Sequence, residues 1–571
     1  MSTEALPLQH LNGSPLTDEQ QQYLTGFFAG IAARGFHFAD VEPGPAPRAQ
    51  DSATGDLIFE ERVKRELHPL DAYPQLLENA AHNQAPDKED AFRFKWQGLF
   101  HLAPNKDAFM ARLRIPGGVL NSFQFRELAR IAKELATGYA QITTRANLQL
   151  RLIQPKDAPE VLRRIQSVGL HTRGAGADNI RNLTANPTSG IDANELIDVL
   201  PFCQELAQII INDRSFYDLP RKFNIAFDGG GAIGTVEDTN DIGARAVRTG
   251  DNVYFRLSVG GATGHKAFAR DLGVLVKPAD LNKTIVALVR VFIANGNRSD
   301  RKKARLKHLL ETWSMEKYLA EAEKLLGYQL ERGFGEAAGP LSSAPLQHTH
   351  VGVYQQKQKG LNYIGVQVPV GQLTPKQMLR VAEIADLYGS GEIRLTVWQN
   401  FIIPNVPDAF VETARKALQK AGFETRPSHL RSGLIACTGN SYCKYAQTNT
   451  KGHALALADY LEKKLSLDSP LNIHLTGCPN SCAQHYMGDI GLLGVKIKGE
   501  EGYHVFVGGG FGGNQAVGRQ VFSGVPIVEL PQTLEKMLKG YLRRRQLGET
   551  FQQFTRRNDL NTLQAIFSNE E

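Results

Sequence analysis

Residues 114–124 read R-I-P-G-G-V-L-N-S-F-Q, and residues 367–377 read Q-V-P-V-G-Q-L-T-P-K-Q. They belong to a gap-free internal alignment of residues 114–173 on 367–426. It pairs Pro116 with Pro369, Gly118 with Gly371, Gln124 with Gln377, Ala129 with Ala382, Thr143 with Thr396, Asn147 with Asn400, Gly169 with Gly422 and Arg173 with Arg426. Self-similarity over so long a stretch is the mark of a duplicated fold. Each copy shows a short strand of alternating apolar residues, a capped helix, a second strand and a second helix. The caps are Asn121 to Gln124 in one copy and Thr374-Pro375 to Gln377 in the other, so each copy reads as a β-α-β-type unit.

A second set of segments repeats at a slightly different offset. Phe223-Asn224-Ile225 through Gly229-Gly230 lies on Leu471-Asn472-Ile473 through Gly477-Cys478. Asp241-Ile242-Gly243 pairs with Asp489-Ile490-Gly491, and Val259-Gly260-Gly261 with Val507-Gly508-Gly509. The duplication therefore spans most of each half. A basic stretch of helical character, Arg298 to Leu326, and a loose Gly/Ala/Pro/Ser segment around 333–347 separate the halves. The fold expected is α+β, internally duplicated and pseudo-twofold.

Upstream, Thr17 to Gln20 forms a capping box followed by Tyr23, Leu24, Phe27, Phe28 and Ile31 at helical spacing, which predicts a helix. Residues 42–56 read as a flexible connector, and compact structure is expected from Ala91. With 571 residues, 42% of them hydrophobic, the chain has material for roughly three to four domain-sized units. No apolar leader follows Met1 and no run of eighteen apolar residues occurs, so a cytoplasmic protein without a membrane span is expected. The net charge of +6 suits nucleic acid, an anionic cofactor or an acidic partner protein without choosing among them.

Four of the five cysteines fall in two short loops, Cys437-T-G-N-S-Y-Cys443 and Gly477-Cys478-P-N-S-Cys482. A cluster of this kind in a reducing compartment points to metal or redox chemistry rather than to disulfides. Zinc modules space both pairs by about two to four residues, and the wider first gap fits them poorly. A 4Fe-4S cube accepts uneven spacing; four buried thiols are the third reading. Cys203, in Pro201-Phe202-Cys203 on a predicted helix, reads as a small core residue, and His474 and His485, beside the cysteine loops, as structural. The duplicated positions of the cysteine loops in the first half hold no cysteine. They lie near Arg181, upstream of Asn186-Pro187, and near Arg221-Lys222-Phe223-Asn224. Halves meeting about a pseudo-twofold axis would set thiols of one side against cations of the other. Singly, Arg112, Arg114, Arg145, Arg151, Arg181, Arg221 and Lys222 read as solvated or ion-paired groups; together they suit oxyanion binding. The run Asn297 to Arg305 reads as a solvated helix face, with an acidic cofactor or nucleic acid as the other option.

These residues resemble the sirohaem- and [4Fe–4S]-containing nitrite and sulfite reductases. The resemblance rests on the two cysteine pairs and on F-M-A-R-L-R-I-P-G-G (109–118), T-T-R-A-N (143–147), D-N-I-R-N (178–182) and L-P-R-K-F-N (219–224), and runs from about Ala91 to about Gly513. It implies a three-domain architecture with ferredoxin-like half-domains and mixed sheets. The segments would be an N-terminal extension and connector (1–90), a first half-domain (91–173) paired with a second (348–426), a sirohaem and substrate domain (174–330), a linker (331–347) and a cluster and sirohaem domain with C-terminal helices (427–571). It further implies that Cys437, Cys443, Cys478 and Cys482 bind the cluster, Cys482 bridging to the sirohaem iron. Arg145, Gln149, Arg221, Gln399 and parts of the 298–305 run would hold sirohaem carboxylates, while Arg112, Arg181, Lys222 and Asn224 would hold the substrate anion. Asn224 occupies a position where sulfite reductases of this family generally have a second lysine, which favours nitrite, reduced to ammonium by six electrons, over sulfite. No flavin or nicotinamide fingerprint is present, so a separate ferredoxin or flavodoxin is the expected donor. A monomer that binds no nucleic acid is expected; a corrin-pathway oxygenase and a nucleic-acid-binding protein with a structural cluster are the remaining alternatives.

Overall fold

The computed structural model describes residues 57–101, 104, 107–333 and 350–568, together with the backbone of residues 10–11 and 14–15. The chain divides into two units, Met1–Ser52 and Ala53–Glu571. In the first, His10–Leu11 pairs antiparallel with Ser14–Pro15. The predicted cap at Thr17–Gln20, its helix and the connector 42–56 lie outside the described residues.

The second unit shows the duplication as geometry. One five-stranded sheet runs in the order Gln372–Leu373, Ala140–Ile142, Leu148–Ile153, Phe109–Arg112, Leu99–His101. Another runs Gly352–Gln355, Leu361–Val366, Phe401–Pro407, Glu392–Leu395, Val119–Asn121. The edge strand Val119–Asn121 is thus lent to the second half's sheet, and its repeat counterpart Gln372–Leu373 is lent to the first half's. Both exchanges pass through a glycine in the left-handed region. A Cβ on Gly118 (φ +75°) would stand 2.6 Å from Leu395 O, and one on Gly371 (φ +72°) 2.7 Å from Ile142 O. Glycine is what allows the two backbones to cross so closely.

The predicted caps follow each exchanged strand. Asn121 accepts from Gln124 N at 3.0 Å while Gln124 accepts from Asn121 N at 3.1 Å, opening the helix Ser122–Glu134. Thr374 and Gln377 do the same at 3.3 and 3.0 Å for Pro375–Tyr388. These helices bury Phe125, Leu128, Met378 and Val381 in one apolar core common to both half-domains.

The other two sheets also match. Ile225–Asp228 lies parallel to Ile242–Thr249 with Ile225 opposite Ile242, and Ile473–Thr476 lies parallel to Ile490–Ile497 with Ile473 opposite Ile490. Antiparallel strands extend both sheets to Arg270–Val276 and Arg519–Pro526. Each sheet has its own core, around Phe227 and Phe292 in one and Leu475 and Tyr541 in the other. Cys203 is fully buried in the first of these, on the helix Leu200–Asn212.

One expectation needs correction. Compact structure begins before Ala91: the helices Phe59–Glu66 and Tyr73–Ala81 bury Val63 and Leu76 completely. The first is rich in charge and so does not read as core, yet its Lys64 is buried, 2.6 Å from Glu61, 2.9 Å from Asp218 and 3.1 Å from Leu219 O. The stretch from Arg298 to Leu326 is helical in segments, in keeping with its expected helical character. A short turn at Arg301–Lys303 precedes the helices Leu306–Thr312 and Met315–Leu326.

Candidate redox and anion site

Leu434–Ala436 and Ile473–Thr476 are neighbouring parallel strands, so the loops that leave their C-terminal ends emerge side by side. These are the two cysteine loops. Cys437 N donates to Leu475 O at 3.0 Å, Gly477 N donates to Cys437 Sγ at 3.2 Å, and Thr450 Oγ1 donates to Cys437 O at 2.8 Å. Burial, and then the proximity of Cys482, Cys443 and Cys437, pushes the Cys478 thiol up to about 12. The Cys478 sulfur thus lies within the electrostatic reach of the other three. Among the described residues, however, no three His, Cys, Asp or Glu groups stand close enough to hold a single metal ion. Two thiol pairs brought side by side, the first with a gap wider than zinc modules use, suit a cube of iron and sulfide.

In the first half the same backbone frame carries other chemistry. The bridges Thr184–Ala226 and Ile435–His474 are equivalent, which places Asn186 where the second half has Cys437. Gly229 N donates to Asn186 Oδ1 at 2.7 Å, as Gly477 N does to the Cys437 sulfur.

Cations of the first half converge on Cys482. Thr144 Oγ1 donates to Cys482 O at 3.0 Å, tying the loop of Arg145 to the second cysteine loop. Arg112 ends the strand Phe109–Arg112, with its guanidinium 4.5 Å from the Phe100 ring centre. Arg112 and Arg145 are pushed down to about 10 and Lys222 to about 7, in each case first by burial, while the field of the Cys482 sulfur opposes the fall. Burial also raises the Cys482 thiol, with Lys222 and Arg112 among the charges that oppose the rise. Arg181 lies deeper. It donates to Ala175 O at 2.8 Å and Ala177 O at 2.7 Å, its Nε has no partner, and burial followed by the Arg112 charge holds it well below the ordinary arginine value.

The remaining predicted residues are placed unequally. Asn224 is buried, with its N and Nδ2 donating to Asp241 at 2.8 and 3.2 Å; Arg305 grips the same carboxylate at 2.7 and 2.8 Å. Arg221 stands 3.7 Å from the fully buried Asp178. Gln149 accepts from Arg151 at 2.7 Å, and Arg151 also donates to Thr438 Oγ1 at 2.8 Å, beside Cys437. The amide of Gln399 is taken up by backbone: Nε2 donates to Ala436 O at 3.0 Å and Oε1 accepts from Ala436 N at 3.1 Å. Its place in this structure is as a clamp on the residue before Cys437.

Within the run Asn297–Arg305, Lys302 and Lys303 are exposed, but the three arginines are ion-paired rather than free. Arg298 pairs with Glu61 at 3.0 Å and Asp218 at 3.2 Å, Arg301 takes both oxygens of Asp178 at 2.8 Å, and Arg305 takes Asp241. These carboxylates lie far away in sequence, so no local pattern announces the pairs. Sequence reasoning also passed over two buried amines. Lys95 is pushed down to about 8 by burial and senses Asp178 and Arg181; Lys451 lies against the Cys437 loop. Only its place eight residues after Cys443 hints at Lys451. His474 and His485 are buried beside Gln484 O and Ser481 Oγ, each at 3.1 Å, and burial pushes them down to about 4 and 3. Neutral and locally bonded, they suit the structural reading.

Two cysteine loops side by side in one half, tied through Cys482 to the Arg145 loop of the other, are the arrangement of a redox protein with an iron–sulfur centre. Sequence comparison agrees. Residues 176–330 and 431–564 match the Nitrite and sulphite reductase 4Fe-4S domain, and residues 101–168 and 354–421 match the Nitrite/Sulfite reductase ferredoxin-like half domain. The chain belongs to the nitrite and sulphite reductase family, an oxidoreductase family that carries sirohaem and a [4Fe–4S] cluster. It is 37% identical over 506 residues to a ferredoxin–nitrite reductase of Synechococcus elongatus, covering 86% of this chain and 98% of that protein. It is 35% identical to the chloroplastic ferredoxin–nitrite reductase of Arabidopsis thaliana, covering 85% and 83%. The solved structure of the Mycobacterium tuberculosis NirA protein superposes with a TM-score of 0.82 at 30% identity, covering 89% of this chain and 97% of that one. Among the described residues no helix is long and apolar enough to cross a membrane.

Proposed function

We propose that this enzyme reduces nitrite to ammonium with six electrons supplied by a reduced ferredoxin. The observation that carries the reading is the 3.0 Å hydrogen bond from Thr144 to Cys482 O, which sets the Arg145 loop against the second cysteine loop. Cys437, Cys443, Cys478 and Cys482 would hold the [4Fe–4S] cluster, with Cys482 shared with the sirohaem iron; Arg145, Gln149 and Arg221 would meet sirohaem carboxylates. When bound, the two groups would supply single-electron storage and delivery.

The chain's own residues bind and orient the anion. Arg181 is immobilised by two backbone carbonyls, so its charge needs no reorganisation to stabilise negative charge on a substrate oxygen. Arg112 adds a second fixed cation. The Lys222 amine, brought by burial to about 7, holds and releases a proton at Nζ near neutral pH. Asn224, neutral and oriented by Asp241, keeps the recess suited to a monoanion.

Purified protein is expected to show sirohaem absorption and to reduce nitrite with reduced ferredoxin but not with NADPH alone. A spectrum without sirohaem bands, or a higher kcat/KM for sulfite than for nitrite, would overturn the assignment.

A further inference from the structure

Lys451 is 7% exposed, in the first turn of the helix Thr450–Lys464, and none of the roles above uses it. Its Nζ donates to Ala436 O at 3.3 Å and to Val370 O. Both acceptors are neutral, and among the described residues no acidic side chain forms an ion pair with it. Burial pushes the amine down to about 7, and the largest opposing influence is the Cys437 sulfur. The neighbouring Thr450 Oγ1 lies 3.6 Å from Cys437 Sγ, so the positive end of the helix dipole also faces this corner. A buried cation with neutral acceptors alone costs several kcal/mol, unless an anion supplied later completes the site.

We propose that Lys451 is a tuning cation for the [4Fe–4S] cluster, its ammonium, held at the carbonyl of the residue before Cys437, stabilising the more negative, reduced cube and so raising its midpoint potential. This rests on the assignment of Cys437 as a cluster ligand. Four thiolates make the cube an anion that gains one further negative charge on reduction, and a fixed positive charge in a poorly screened interior favours that state. Lys451 acts through the cluster and touches no substrate, so it is a positioning and tuning residue.

The test is an EPR-monitored redox titration of the holoenzyme and of Lys451→Met, Lys451→Gln and Lys451→Arg, with iron and sulfide assayed in each. Met and Gln are expected to keep the cluster and to lower the reduced-to-oxidised ratio at fixed potential by tenfold or more, a fall of about 59 mV for one electron. Arg, which keeps the charge, is expected to stay near the wild-type value. Gln keeps a donor for the carbonyls without the charge. A wild-type potential in Gln, with or without a shift in Met, would therefore mean that the amine is a hydrogen-bond tie and would overturn the proposal. Loss of the cluster from all three variants would overturn it too, as a structural role. A wild-type protein without a cluster would instead refute the ligand assignment.

Discussion

Asn224 is the residue to which the proposed preference for nitrite is assigned. Its side chain already faces Asp241, so a lysine there finds a counterion and adds a cation to the recess. Asn224→Lys is expected to raise the sulfite-to-nitrite ratio of kcat/KM about tenfold, roughly 1.4 kcal/mol of differential stabilisation, measured by parallel steady-state assays with one donor. Asp178 shows what a buried carboxylate does for the same region. Burial pushes its carboxyl up, but the two Arg301 hydrogen bonds and the charges of Lys64, Arg301 and Arg221 outweigh that and hold it below the usual carboxylate range. Because its folded value is depressed, its contribution to stability is present above about pH 4 and lost as pH falls through the folded value. Asp178→Asn is expected to cost about 3–5 kcal/mol at neutral pH by leaving Arg301 and Arg221 poorly compensated. Urea unfolding at pH 7 and pH 3.5 checks this: the difference between wild type and variant should narrow at the lower pH. The cysteines were legible because their spacing is local. The pairings of Arg301, Arg305 and Gln399 were not, because each partner lies tens of residues or more away and neither partner's type names the other.

At the scale of elements, the exchanged strands depend on Gly118 and Gly371. Alanine at either must hold a left-handed backbone and meet a carbonyl of the opposite half, a strain of about 1–3 kcal/mol from the backbone alone. Gly118→Ala and Gly371→Ala are expected to lower thermal stability by similar amounts, since the positions are equivalent by the duplication; scanning calorimetry of both variants checks this. The repeat alignment paired these glycines and both capping boxes correctly. The exchange itself was hidden, because the alternation of a strand shows that it pairs but not with which sheet. The helices before Ala91 were hidden for another reason: charge that normally marks a solvated surface is here spent on buried ion pairs around Lys64 and Arg298.

For the whole molecule, the shared core means that neither half should fold alone. Residues 57–333 and 350–568 expressed separately are expected to lack near-UV circular dichroism and to bind ANS, and their co-expression to restore a near-UV signal. The net charge of +6 favours an acidic donor, so the KM for reduced ferredoxin should rise with ionic strength between 50 and 300 mM salt, as screening shortens the reach of the charges.

The sequence by itself determined the duplication, the α+β class and the pairing of the cysteines in two short loops, because repeats, caps and cysteine spacing are written in neighbouring residues. Only the tertiary structure decided that the halves trade strands, that the 298–305 arginines are bound to Asp178, Asp218 and Asp241, that Gln399 clamps Ala436 and that Lys451 donates to Ala436 O. These depend on which distant backbones are brought within hydrogen-bond reach, and a buried charge declares its role only once its surroundings are known.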